Sequence, residues 1–141
     1  MIPTKLADLH LRPGDLMQGT YDELWILGDG LDLIPWGYTR WLEPDGQATI
    51  KSIAGCARVL RYAEGNHDPY DRLEKLFAPY SNVTVYKVIV RHNGIGMHGH
   101  LFAPNWRFYS RFVPACVDFM ARGKLRRKVW YWYCRKKGWI K

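Results

Sequence analysis

Cysteine is scarce in this chain. Cys56, Cys116 and Cys134 are the three present, and no two stand in a CxxC pair. This excludes a disulfide framework and points to free thiols in a reducing compartment. Long apolar runs are lacking too: no stretch approaches the roughly 20 residues that a membrane span needs. The opening residues, Met1-Ile2-Pro3-Thr4-Lys5, have no apolar core of a secretory signal. The expectation is a cytoplasmic protein, at most peripheral to a membrane. Acid is missing from one region: residues 107–141 carry Asp118 alone against eleven Lys and Arg, whereas residues 1–106 carry ten basic and twelve acidic residues. The net charge of +8 is therefore the sum of a near-neutral body and a strongly basic end. A nucleic-acid reading of the whole chain is excluded on that count.

What is present describes a folded domain. The chain has 141 residues, 48% hydrophobic and 24% charged, with seven Trp, which suits one globular domain with its own core. Apolar and β-branched runs predict strands over 4–9, 23–27, 59–63 and 83–90, the last being the clearest. Helical patterning predicts helices over 48–57, with Asp45 as the cap, and over 69–77, stopping before Pro79. Residues 31–41, with Pro35 and Gly37, read as loop or short helix. Beyond Pro104, Phe108, Phe112, Cys116 and Phe119 fall on one helical face, with Pro114 expected to kink it or to start a turn. Strands that alternate with helices predict an α/β fold, whose ligands sit at the carboxyl ends of the strands.

Four segments place Asp, Asn or His just after an apolar run: Asp8-Leu9-His10, Gly28-Asp29-Gly30-Leu31-Asp32, Gly65-Asn66-His67-Asp68 and His98-Gly99-His100. Each alone reads as turn chemistry, since Gly, Asn and Asp all tolerate left-handed backbone. Together they hold four of the five histidines. Carboxylate, imidazole and amide oxygen are hard and borderline ligands that suit Mn, Fe or Zn. One carboxylate bridging two such ions makes a site able to clamp the attacking and leaving oxygens of a phosphoryl transfer.

In this order the set resembles the calcineurin-like metallophosphoesterases, whose motifs run D-x-H, G-D-x-x-D/E, G-N-H-D/E, H and G-H-x-H. Residues 22–37 (DELWILGDGLDLIPWG), with ADLHL before them, look most like the UDP-diacylglucosamine pyrophosphatase branch. The resemblance spans residues 4–103. It implies a β-sandwich flanked by helices, incomplete at the C-terminus and ending in basic aromatic helices, with residues 1–103 as a partial core and 104–141 as a cap or tail. It implies two divalent ions, Mn²⁺ first, with Fe or Zn as alternatives. Asp8 and His10 would bind the first, Asn66 and His98 the second, and Asp29 would bridge them. His67 would face the substrate and protonate the leaving oxygen, Asp68 would orient His67, Asp32 would support its loop, and His100 would help to shape the site.

One departure matters. No GHxH motif follows His100, nor any other histidine, so each ion would lose one protein ligand. The expectations this leaves open are a fragment, a weakened one-metal enzyme, and a relic that no longer catalyses. A shortened second sheet would leave an exposed edge or apolar face, covered by the aromatic tail, by a second chain or oligomer, or by nothing.

Residues 124–137 (KLRRKVWYWYCRKK) permit three readings. The plain one is a solvated helix packed on the core through Leu125, Val129 and Trp132. The second is contact with an anionic membrane surface. The third is nucleic acid, with Lys and Arg on phosphates and aromatics on bases. The expected function is a metal-dependent phosphoester or pyrophosphate hydrolase acting on a nucleotide-linked lipid or another phosphodiester. The alternative is a catalytically impaired module that binds a membrane, nucleic acid or a protein.

Overall fold

The computed structural model describes residues 2–92, 94–99 and 106–140. Its centre is a sheet of four parallel strands, β1 (Thr4–Leu6), β2 (Tyr21–Leu27), β3 (Ala57–Ala63) and β4 (Val83–Tyr86), in the order β1-β2-β3-β4. Between β2 and β3 run α1 (Leu33–Trp36), α2 (Tyr38–Trp41) and α3 (Pro44–Gly55), and α4 (Tyr70–Phe77) joins β3 to β4. The fold is thus α/β, as alternating strands and helices lead one to expect.

The two faces of β2 are covered differently, because side chains alternate along a strand. Leu24 and Ile26 face the helices, where they join Leu60, Tyr62, Ile50, Ile53, Trp41, Leu73 and Phe77 in the main core. Trp25 faces the other way and is fully buried with Ala63 and Ile89. Its cover is an antiparallel ribbon of β5 (Ile89–Arg91) and β6 (Gly94–Gly96). Gly96 makes this layer possible: a Cβ there would stand 2.6 Å from Leu27 Cδ2 and 3.1 Å from Trp25 Cε3. The outer residues of the ribbon, Val90 and Ile95, are direct partners and are both exposed.

The strand expected over 83–90 is two strands. β4 pairs with β3 as far as Tyr86, opposite Ala63. The chain then crosses to the second layer, where Ile89 is buried beside Trp25. β-branched residues favour strand in both places and do not mark the crossing. Asp45 does not cap α3. Pro44 opens the helix after Glu43, and Asp45 lies in the first turn, accepting from Arg40 and from Gly46 N–H. Proline suits a first helical position because its missing N–H would have no helical partner there.

Two helices, α5 (Trp106–Arg122) and α6 (Lys124–Lys136), form a hairpin against α1 and α2. Pro114 lies inside α5, on its buried side with Val117 and Ala121. The face that carries Phe112, Cys116 and Phe119 is exposed, and the side chain of Phe108, expected on the same face, lies outside the described residues. Close packing decides this: a Cβ on Gly37 would come within 2.5 Å of Ala121 Cβ. The plain expectation for α6, a solvated helix packed on the body, holds, but not through the expected face. Leu125, Val129 and Trp132 are 76%, 53% and 57% exposed, while Tyr131 and Cys134 are buried. No described helix is long and apolar enough to cross a membrane.

Candidate metal centre

The segments with metal-binding chemistry meet at one end of the sheet. Asp8 and His10 follow β1, residues 28–32 follow β2, residues 64–68 follow β3, and His98 follows β6. Asp8, His10 and Asp29 have positive φ, at 53°, 48° and 52°. Such backbone is uncommon for residues with a Cβ and gathers where a site requires it.

Asp29 is the centre of the cluster and is almost fully buried. Its Oδ1 accepts the backbone N–H of His67 at 2.9 Å. Its Oδ2 stands 3.9 Å from His10 Nε2 and 3.5 Å from His98 Nε2. Two donor sets share this carboxylate: His10, Asp29 and His67, and Asp8, Asp29 and His98, each with its ligand atoms within 4.8 Å of one another. Asp8 Oδ1 lies 3.0 Å from His98 Nε2. The residues present fit a divalent ion, since imidazole and carboxylate donors converge on a buried, shared carboxylate. Asn66 is exposed on the turn between Gly65 and His67. His100 lies outside the described residues.

Asp32 orders two imidazoles. Its Oδ1 is 2.6 Å from His10 Nδ1 and 3.3 Å from His67 Nδ1. An acceptor at Nδ1 puts the proton there and turns the lone pair of His10 Nε2 toward Asp29. His67 Nδ1 also donates to the Ile34 carbonyl at 2.7 Å. The two rings meet edge to face, 4.9 Å apart. Burial by itself would raise the Asp32 carboxyl, but the bonds from His67 and His10 outweigh it and hold the group below its usual range. Burial disfavours the charged form of His67, yet Asp32, Asp29 and the Ile34 carbonyl lift it to about 9. A nearby divalent ion would pull it back down.

Asp68 does not orient His67. Its side chain is fully buried beneath the turn after β2. Oδ1 accepts Asp29 N–H and Gly65 N–H, and Oδ2 accepts Gly30 N–H, Leu31 N–H and the Tyr62 hydroxyl, the last at 2.5 Å. Burial pushes its carboxyl up to about 7, and the Asp29 charge adds to this against the hydrogen bonds. Gly65 lets the two turns close on each other: a Cβ there would fall 2.1 Å from Asp29 Oδ1. Neither Tyr62 nor the Ile34 carbonyl is apparent from sequence. Tyr62 reads as an ordinary strand aromatic, and a backbone carbonyl carries no side-chain signal.

The chain is therefore an α/β protein with a shared-carboxylate cluster of His and Asp at the carboxyl ends of its strands. Comparison with family models, with curated proteins and with solved structures finds no match.

Proposed function

We propose that this protein is a metal-dependent phosphoester or pyrophosphate hydrolase of the calcineurin-like metallophosphoesterase type, with a phosphodiester as substrate and a nucleotide-linked lipid as the specific candidate. The observation that carries this reading is Asp29 Oδ2, placed between His10 Nε2 and His98 Nε2. In this reading Asp8, His10, Asp29, Asn66 and His98 would hold two divalent ions, Mn²⁺ being the first choice; Asp8 is grouped with His98 rather than with His10, and His67, which also reaches the His10–Asp29 set, is kept for proton transfer. Such ions supply Lewis acidity toward the phosphoryl oxygens and lower the pKa of water. The part of His67 is to carry a proton on Nε2 while Nδ1 is fixed by Ile34, and to give that proton to the leaving oxygen. Asp32 steadies both imidazoles. The wider β-sandwich implied by the resemblance is part of the proposal, with the β5–β6 ribbon as the start of its second sheet.

The test is hydrolysis of bis-p-nitrophenyl phosphate by the purified chain across a Mn²⁺ series. We expect turnover that rises with Mn²⁺ and falls in His67→Ala by about 10²-fold or more, the range for loss of a positioned general acid. A wild-type protein inactive at every Mn²⁺ concentration would refute the enzyme reading.

A second reading, compatible with the first, is supported by the exposed face of α6. Leu125, Val129 and Trp132 are exposed there among Lys124, Arg126, Lys128, Arg135 and Lys136. Aromatic and aliphatic groups set among cations suit the headgroup region of an anionic bilayer. This is peripheral contact through residues 124–137, and nucleic acid is the weaker candidate for the same surface. We expect the protein to sediment with phosphatidylserine vesicles and not with phosphatidylcholine vesicles, and to release at high salt. Each Lys or Arg near the surface is worth about 1 kcal/mol, so Lys128→Glu together with Lys136→Glu should weaken binding by well over tenfold. Binding indifferent to anionic lipid would rule the contact out.

A further inference from the structure

The hydrogen bonds around residues 34–36 link α6 to His67. Three consecutive carbonyls are engaged from two sides. Ile34 O accepts His67 Nδ1–H at 2.7 Å, Pro35 O accepts the Trp130 indole N–H at 2.7 Å, and Trp36 O accepts the Tyr131 hydroxyl at 2.7 Å. The link with His67 is reciprocal, since Ile34 N–H donates back to His67 O at 3.1 Å. Residue 34 interrupts its own helix: Ile34 has φ −109° and ψ 117°, the extended backbone that a following proline favours. The segment therefore lacks a regular helical ladder to hold these carbonyls in place. The hairpin supplies what holds them. Besides Trp130 and Tyr131, Asp118 accepts Tyr38 N–H at 2.9 Å, and Arg127 bonds Glu43 at 2.5 Å. The Tyr131 ring also meets Trp36 edge to face at 5.2 Å.

We propose that Trp130 and Tyr131 are positioning residues for His67: their bonds to Pro35 and Trp36 fix the Ile34 carbonyl, and that carbonyl fixes the imidazole. This rests on the reading of His67 as proton donor to the leaving oxygen. It gives the inner face of α6 a part in the chemistry, distinct from the exposed outer face.

The test uses Trp130→Phe, Tyr131→Phe and the double variant in the full chain. Each single variant keeps a ring in place and removes one donor, and the double variant removes both. The first readout is the His67 Nδ1–H resonance in ¹H–¹⁵N NMR, assigned by its loss in His67→Gln. We expect a slowly exchanging signal in the wild type that broadens or vanishes in the double variant while the backbone amide dispersion is kept. The second readout is Mn²⁺-dependent hydrolysis, with kcat falling about tenfold and KM unchanged, a fraction of the whole contribution of a general acid. A folded double variant with an unaltered Nδ1–H signal overturns the proposal. Should the double variant fail to fold, Tyr131→Phe decides in the same way: a weakened signal supports it and an unchanged one overturns it. If the wild type hydrolyses nothing, the functional reading fails, and the NMR signal still decides whether α6 positions His67.

Discussion

Asp68→Ala should lose about 4 kcal/mol or more of folding stability, the largest single-residue effect expected outside the hydrophobic core. The carboxylate accepts four backbone N–H groups and the Tyr62 hydroxyl, in a fully buried position. A buried donor left without an acceptor costs about 1–3 kcal/mol. Partial collapse and entry of water will recover some of the sum. What remains is still a large part of the roughly 5–15 kcal/mol by which a domain of this kind is stable. Asp68→Asn should do little better, because its amide would set an N–H₂ against a cluster of N–H donors. Tyr62→Phe removes one donor and leaves the other four bonds intact, and should cost about 1–2 kcal/mol. Urea denaturation followed by far-UV circular dichroism measures all three. If Asp68→Ala unfolds at the same urea midpoint as the wild type, the carboxylate is not the anchor of the turn after β2.

That anchor also marks where sequence ceases to inform. The ends of β2 and β3 were legible because an apolar run that stops at Gly28-Asp29 or Gly65-Asn66 has one ready interpretation in an α/β fold. The meeting of Asp29, His10 and His98 was expected because each follows an apolar run that can end a strand and because the order of the motifs resembles a known metal-binding set, although they lie far apart in the chain. The division of labour between Asp32 and Asp68 was not. Both are aspartates beside a glycine turn, and what separates them is burial: Asp68 is at 0% exposure and Asp32 is only partly buried. The hairpin was misread for another reason. α6 has apolar or aromatic residues on every side, so its periodicity selects no face. The face that packs is the one whose indole and phenol reach the carbonyls of Pro35 and Trp36. Those partners lie 95 residues away, beyond the reach of any local pattern.

Asp29→Asn should separate metal binding from folding. The substitution keeps the shape of the side chain and an oxygen for the His67 N–H, which Oδ1 now accepts at 2.9 Å. It removes the charge that both donor sets share. Two electrostatic effects on the fold then oppose each other. Asp68 is relieved of a neighbouring carboxylate, and His67 loses one of the charges that raise it to about 9. We expect the urea midpoint to move by less than about 1 kcal/mol equivalent, as for substitutions that leave packing and hydrogen bonding in place. Affinity for Mn²⁺, measured by isothermal titration calorimetry, should fall by at least about 10²-fold, since altering even an outer partner of a ligand costs 10–100-fold. Hydrolysis should fall by about 10³-fold or more, because a bound ion contributes several kcal/mol of charge stabilisation and each 1.36 kcal/mol is tenfold in rate. A folded Asp29→Asn protein that binds Mn²⁺ as tightly as the wild type would remove Asp29 from the centre of the site. A protein that loses Mn²⁺ and unfolds together would instead make Asp29 part of the framework. The expected result, a stable chain without its metal, fits a residue held at positive φ with its Oδ2 turned toward two imidazoles.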